Sequence, residues 1–244
     1  MLPDSAIEDI FGDLIEEAAD NLLDEYRDFA GEFRLPVPVE SIAEHFLKYD
    51  LEITDEGLFS DPSFLGGISF ETNTIFVNAS IEDHEGRYTF TIAHEIGHHV
   101  LHKDLYDELV ADRSQILCRE EKQKPLIERQ ADRFAAALMM PRYILSGEVK
   151  KLSHKMPKTI GEVLRLANDL KKESDFDNVS ISALVNRLKD LELIHQSIPY
   201  QTGKGWRRAS RRNPLAIILG AIRHYFLKGK GATCWSVTFL MHQP

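Results

Sequence analysis

Cysteine is scarce in this chain. Only Cys118 and Cys234 occur in 244 residues, far apart and in dissimilar surroundings, so neither a disulfide framework nor a cysteine-built metal site is indicated and both are expected to be reduced thiols. Long apolar runs are missing too. None approaches the roughly 18 residues needed to cross a bilayer, and the stretch MLPDSAIEDIFGD is acidic where a secretory signal would be basic, so a cytoplasmic location is expected. Positive charge is short over most of the chain. Eight of the 29 Lys and Arg residues and none of the 39 Asp and Glu fall at 203–244, leaving 21 basic against 39 acidic side chains before them. So acidic a body repels a phosphate backbone, which argues against direct nucleic-acid binding and favours a basic protein partner. Apolar residues, by contrast, make up 43% of the chain, enough for a real core in a protein of about one-domain size.

The most informative stretch is IAHEIGHHV at 92–100. It places His94, Glu95 and His98 in the HExxH arrangement of zinc hydrolases, on a segment that reads as a helix. Residues four apart lie one turn above each other, so both imidazoles can aim at one metal ion while Glu95 projects beside them as a general base for water. Such a centre needs a third protein ligand. Glu128 is the favoured candidate, because it opens ERQADRFAAALMMP, where Ala131, Phe134, Ala135, Leu138 and Met139 recur at helical spacing up to Pro141. Glu120 and Glu121 are alternatives in a charged, loop-like run. Asp132, one turn after Glu128, either receives the second ring N–H of a ligating histidine or is a solvated helix charge. His99 and His102 are expected at the surface or a helix end, since the 98/102 pair has no glutamate in the base position. Tyr88, seven residues before Glu95, is either a donor to a developing oxyanion or a core tyrosine.

Along the chain, Ser5 and Glu8 form a candidate capping box, followed by a helix with Ile7, Ile10, Phe11, Leu14, Ala18 and Leu22 on one face, running to about Ala30. LPVPV at 35–39 is an extended connector, and Ile42, Ala43, Phe46 and Leu47 predict a short helix ending near Tyr49. Leu51 to Ile53 reads as a strand. Ile68 to Phe70 and Ile75 to Val77, with Asn73 available for the turn, read as a hairpin whose exposed edge either pairs with an extended substrate or is plain sheet structure. Helices are predicted over 142–150, over 159–172 and after a cap at Ser180. Residues 158–195 carry six basic and seven acidic side chains, so these helices lack the positive face of a DNA-binding helix-turn-helix. After Gly203 the composition changes to WRRASRR and PLAIILGAIRHYFLKGKG, compatible with an interfacial helix, a partner-binding tail or a poorly ordered extension.

Three strings, GGISFETNTIFVN at 66–78, RYTFTIAHEIGHHVLH at 87–102 and ERQADRFAAALMMP, together resemble the ImmA/IrrE family of metallo-endopeptidases over about residues 36–195. The resemblance implies an α+β fold with a thermolysin-like core and a small, mostly antiparallel sheet, followed by a helical C-terminal region. It also implies a cytoplasmic zinc peptidase that cleaves a cognate helix-turn-helix repressor in stress-response or mobile-element regulation. Carried over by position, His94, His98 and Glu128 are the metal ligands and Glu95 is the catalytic base. Zinc is the expected ion, with Mn2+ the alternative. The expected regions are an N-terminal helix at 1–35, the peptidase core at 36–150, a helical subdomain at 151–202 and a basic tail at 203–244. The long charged segment 103–125 leaves room for a specificity loop or lid between the motif helices. The rival reading from another class is a metal-binding module that sequesters a regulator protein without cutting it.

Overall fold

The N-terminal region forms the expected long helix, α1 (Asp4–Ala30), but the face it buries carries Ile15, Ala19, Leu22, Leu23 and Tyr26, so of the predicted face Leu22 is buried while Leu14 is 53% exposed. The computed structural model of the chain describes residues 4–111 and 124–198, with side chains at 12–104 and 127–198. The Ser5–Glu8 capping box, Cys118, Cys234, Glu120, Glu121 and the tail from 203 therefore lie outside the described residues or side chains. α1 ends where Gly31 adopts φ 83° and returns its N–H to the Arg27 carbonyl at 2.8 Å, the left-handed stop that a residue without Cβ adopts at little cost. The predicted short helix is α2 (Val39–Ser41), running directly into a π-helical turn at Ile42–Phe46.

The sheet has three strands, β1 (Asp50–Thr54), β2 (Gly66–Ser69) and β3 (Thr74–Asn78), in the order β1–β3–β2. β2 and β3 form the expected hairpin, with Ile68 opposite Ile75 and Asn73 at φ 50° in the turn. β1 pairs with β3 in parallel, Leu51 opposite Ile75, so the sheet has one antiparallel and one parallel pairing where a mostly antiparallel one was expected. The cause is the connection 55–65, which carries the chain past the middle position and lets β3 return between β1 and β2. Asn78 holds that connection in place: its buried Nδ2 donates to the carbonyls of Phe59 at 2.8 Å and Phe64 at 2.7 Å.

α3 (Glu85–Ala111) crosses behind β2 and β3 and packs most extensively on α4 (Lys124–Met139), which in turn lies against α1. Of the charged segment 103–125, which left room for a loop or lid, the first part is helical as far as Ala111, and α4 begins at Lys124. Three more helices follow as predicted: α5 (Arg142–Leu152), α6 (Ile160–Glu173) and α7 (Ile181–Asp190). Thr159 and Glu162 form a capping box on α6, and the Ser180 hydroxyl accepts from Ala183 N–H on α7 at 3.0 Å. The α+β class is as expected, with helices predominating over a small sheet. Among the described residues, no helix is long and apolar enough to cross a membrane.

Candidate metal centre and its buried glutamate

α3 presents His94 and His98 one turn apart, with their Nε2 atoms 3.0 Å from each other. α4 brings Glu128 to them: Oε2 lies 3.4 Å from His94 Nε2, and Oε1 lies 3.8 Å from His98 Nε2. Two helices can come this close because position 97 is glycine. A Cβ there would stand 3.2 Å from the Cα and carbonyl oxygen of Ala131 and 3.2 Å from Phe134 Cδ1, tighter than nearly all ordinary contacts. Gly97 thus belongs to the site although it offers no ligand atom, a role that the HExxH pattern leaves unspecified.

The donor set fits a tetrahedral divalent ion. Ligand bonds of about 2.0–2.1 Å imply donor–donor separations of about 3.3–3.4 Å; the two Nε2 atoms are 3.0 Å apart, and the two Glu128 oxygens approach them to 3.4 Å at His94 and 3.8 Å at His98. All three ligand atoms fall within 4.8 Å of one another. The field favours a cation as well. Burial by itself would lower the His94 pKa, but hydrogen bonds to Asp132 and Glu128 and the nearby Glu95 carboxylate outweigh it and push it up to about 10. Three carboxylates around one imidazole thus favour positive charge at this spot, whether it arrives as a proton or as a metal ion. His98 moves the other way, held well below the ordinary histidine range first by burial and then by repulsion from His94 and His102.

Glu95 is fully buried beside these groups. Its Oε1 faces β2, 3.3 Å from where a Cβ on Gly66 would lie, so the carboxylate sits between the histidine pair and the backbone of the hairpin's edge strand. Asp132 is bonded, not merely solvated: its Oδ1 lies 2.9 Å from His94 Nδ1.

The other residues divide. Tyr88 packs at the core margin; burial, followed by the nearby Glu40 carboxylate on α2, pushes its pKa up to about 12. It therefore follows the core reading, not the oxyanion one. The expectation for the remaining two histidines is corrected. His99 is half-buried, with Nδ1 2.9 Å from the Tyr49 hydroxyl, and burial drives its pKa down to about 4. His102 is only 8% exposed, with Nδ1 3.0 Å from His98 Nδ1 and Nε2 3.1 Å from Gln130 Oε1. The 98/102 spacing was a visible signal, but the return of α4 over the same face, which buries the pair, was not.

A small mixed sheet, a long helix carrying HExxH and a carboxylate from the next helix define an α+β protein in which two histidines and one carboxylate could hold a metal ion. The family model described as the IrrE N-terminal-like domain, Peptidase_M78, matches residues 39–189, and the chain belongs to that peptidase family. No curated protein matches this chain.

Proposed function

We propose that the chain is a zinc-dependent endopeptidase that hydrolyses a peptide bond in a cytoplasmic protein substrate, a cognate helix-turn-helix repressor. The observation that carries the chemistry is Glu95, fully buried next to two imidazoles and the Glu128 carboxylate within metal-binding distance of one another. In this reading His94, His98 and Glu128 hold the ion, which supplies Lewis-acid activation of water and of the scissile carbonyl. Glu95 takes the proton of the attacking water as its oxygen bonds to the carbonyl carbon. The same carboxylate then delivers that proton to the amine nitrogen as the C–N bond breaks. Asp132 keeps the His94 ring oriented throughout.

β2 suits substrate backbone. It is an edge strand of the sheet and lies next to Glu95, so an extended peptide can add to its free side and bring a scissile carbonyl beside the centre without side-chain readout. The acidic composition before residue 203 supports a basic protein partner. The test is incubation of the full chain with a purified basic helix-turn-helix repressor, with and without chelator, alongside Glu95→Gln. Fragments that need both metal and Glu95 support the reading, and elemental analysis of the purified protein identifies the ion. A stable complex yielding no fragments overturns cleavage and makes the chain a sequestering module.

A further inference from the structure

The two histidines of the centre are held by different kinds of partner. His94 Nδ1 faces an anionic oxygen, Asp132 Oδ1, whereas His98 Nδ1 faces a third imidazole, His102 Nδ1 at 3.0 Å, whose Nε2 reaches Gln130 Oε1 at 3.1 Å. Hydrogen-bond polarity along this line is set from its far end. The Gln130 carbonyl oxygen can only accept, so His102 carries its proton on Nε2 and leaves Nδ1 bare. A bare His102 Nδ1 accepts from His98 Nδ1–H. His98 in that tautomer turns the lone pair of Nε2 towards His94 and Glu128. The opposite order would put a proton on His98 Nε2, where it would block the donor atom. A doubly protonated ring at either position is disfavoured, since both are buried.

We infer that His102 and Gln130 are positioning residues that fix the tautomer and orientation of His98 through a neutral imidazole–amide relay, the counterpart of Asp132 at His94. Gln130 is placed for this on α4 between α1 and α3, beside Ile15 and Leu101. The relay adds no further negative charge to a centre that already holds three carboxylates. The inference rests on the reading of His98 as a metal ligand.

The experiment uses the full chain and two readouts that do not depend on turnover: histidine 15N shifts of the metal-free protein, and zinc affinity by competition with a chromogenic chelator. In the parent, His98 is expected with Nδ1 protonated and Nε2 bare. Gln130→Leu removes the acceptor, frees His102 to place its proton on Nδ1, and is expected to weaken zinc binding about 10- to 100-fold, the usual scale for partners of metal-bound histidines. Gln130→Glu keeps an acceptor and is expected to bind zinc within about threefold of the parent. His102→Leu repeats the loss. Because it removes a buried ring, Gln130→Leu on the half-buried position carries the result if His102→Leu does not fold. His98 protonated on Nε2 in the metal-free parent, the order a reversed Gln130 amide would impose, overturns the inference. So does a folded Gln130→Leu that binds zinc as tightly as the parent. A chain that binds zinc but cuts no substrate overturns the peptidase reading alone.

Discussion

Glu95 and Asp132 show how far single side chains in this centre can be assigned distinct tasks. The three-donor group consists of His94, His98 and Glu128, so Glu95→Gln, which keeps the volume of the neighbouring side chain, is expected to retain one equivalent of metal by elemental analysis. Turnover should fall by about 10²- to 10⁴-fold, the usual contribution of a positioned general base. Cleavage at the parental rate by that variant would remove Glu95 from the mechanism. Asp132 acts through His94, and Asp132→Ala is expected to weaken metal binding about 10- to 100-fold, read by chelator competition. At this scale the sequence was unusually legible. HExxH and helical spacing singled out His94, Glu95, His98, Glu128 and Asp132, and the fold brings the His94, His98 and Glu128 donor atoms within 4.8 Å of one another with Asp132 against His94. His102 and Gln130 did not, because their pairing depends on how α4 lands on α3, which no local pattern records.

The crossing of α3 over α4 is the element-scale feature on which the centre depends. Gly97 lies at their closest approach, against Ala131 and Phe134. Gly97→Val would force the helices apart, with an overpacking cost of about 1–3 kcal/mol in denaturant titrations. Metal affinity should fall with it, since His98 is adjacent to Gly97 on α3 while Glu128 sits one turn before Asp132 on α4. Loss of stability with unchanged affinity would mean that the donor geometry does not require the close approach. The predicted start of α6 at 159 and the predicted cap of α7 at Ser180 match the structure, and a capping box not named from the sequence closes the start of α6. The α6 capping box is made, with Glu162 Oε2 accepting from the N–H groups of Lys158 at 2.8 Å and Thr159 at 3.0 Å, and those bonds hold its carboxyl below the usual range. Its contribution is therefore present above the ordinary glutamate pKa and is lost as pH falls through the lowered one. Thr159→Ala should cost about 1 kcal/mol. The region after 102 was harder. Its length left room for a loop or lid, yet KDLYDELVA contains no glycine or proline and is built from residues a helix tolerates, and α3 runs on to Ala111.

At the scale of the whole molecule, a buried ion pair ties the N-terminal helix to α7. Glu16 on α1 accepts from both terminal nitrogens of Arg187 on α7, with the Nη2 contact at 2.7 Å, although 171 residues separate them. Arg187 is 2% exposed and also donates from Nε to the Met140 carbonyl at 3.0 Å, at the end of α4. α1 lies outside the matched segment 39–189, but Arg187 lies inside it, so the family domain in this chain contains a buried cation whose partner comes from elsewhere. Burying two charges is expensive, and removing only one leaves the other uncompensated. Arg187→Met is therefore expected to destabilise by about 3–5 kcal/mol, measured by urea unfolding. Arg142, whose Nε lies 3.8 Å from Glu16 Oε2, is half exposed and too distant to replace it fully. The combined Glu16→Leu, Arg187→Met variant should recover most of that loss, because neither charge then remains buried. If the double variant is as unstable as Arg187→Met alone, the damage comes from the lost Met140 contact and packing at α7, and the ion pair is not what joins α1 to the domain. If it recovers, α1 is held to the Glu128-bearing helix chiefly by apolar burial against α4, with the ion pair selecting the register in which the two meet.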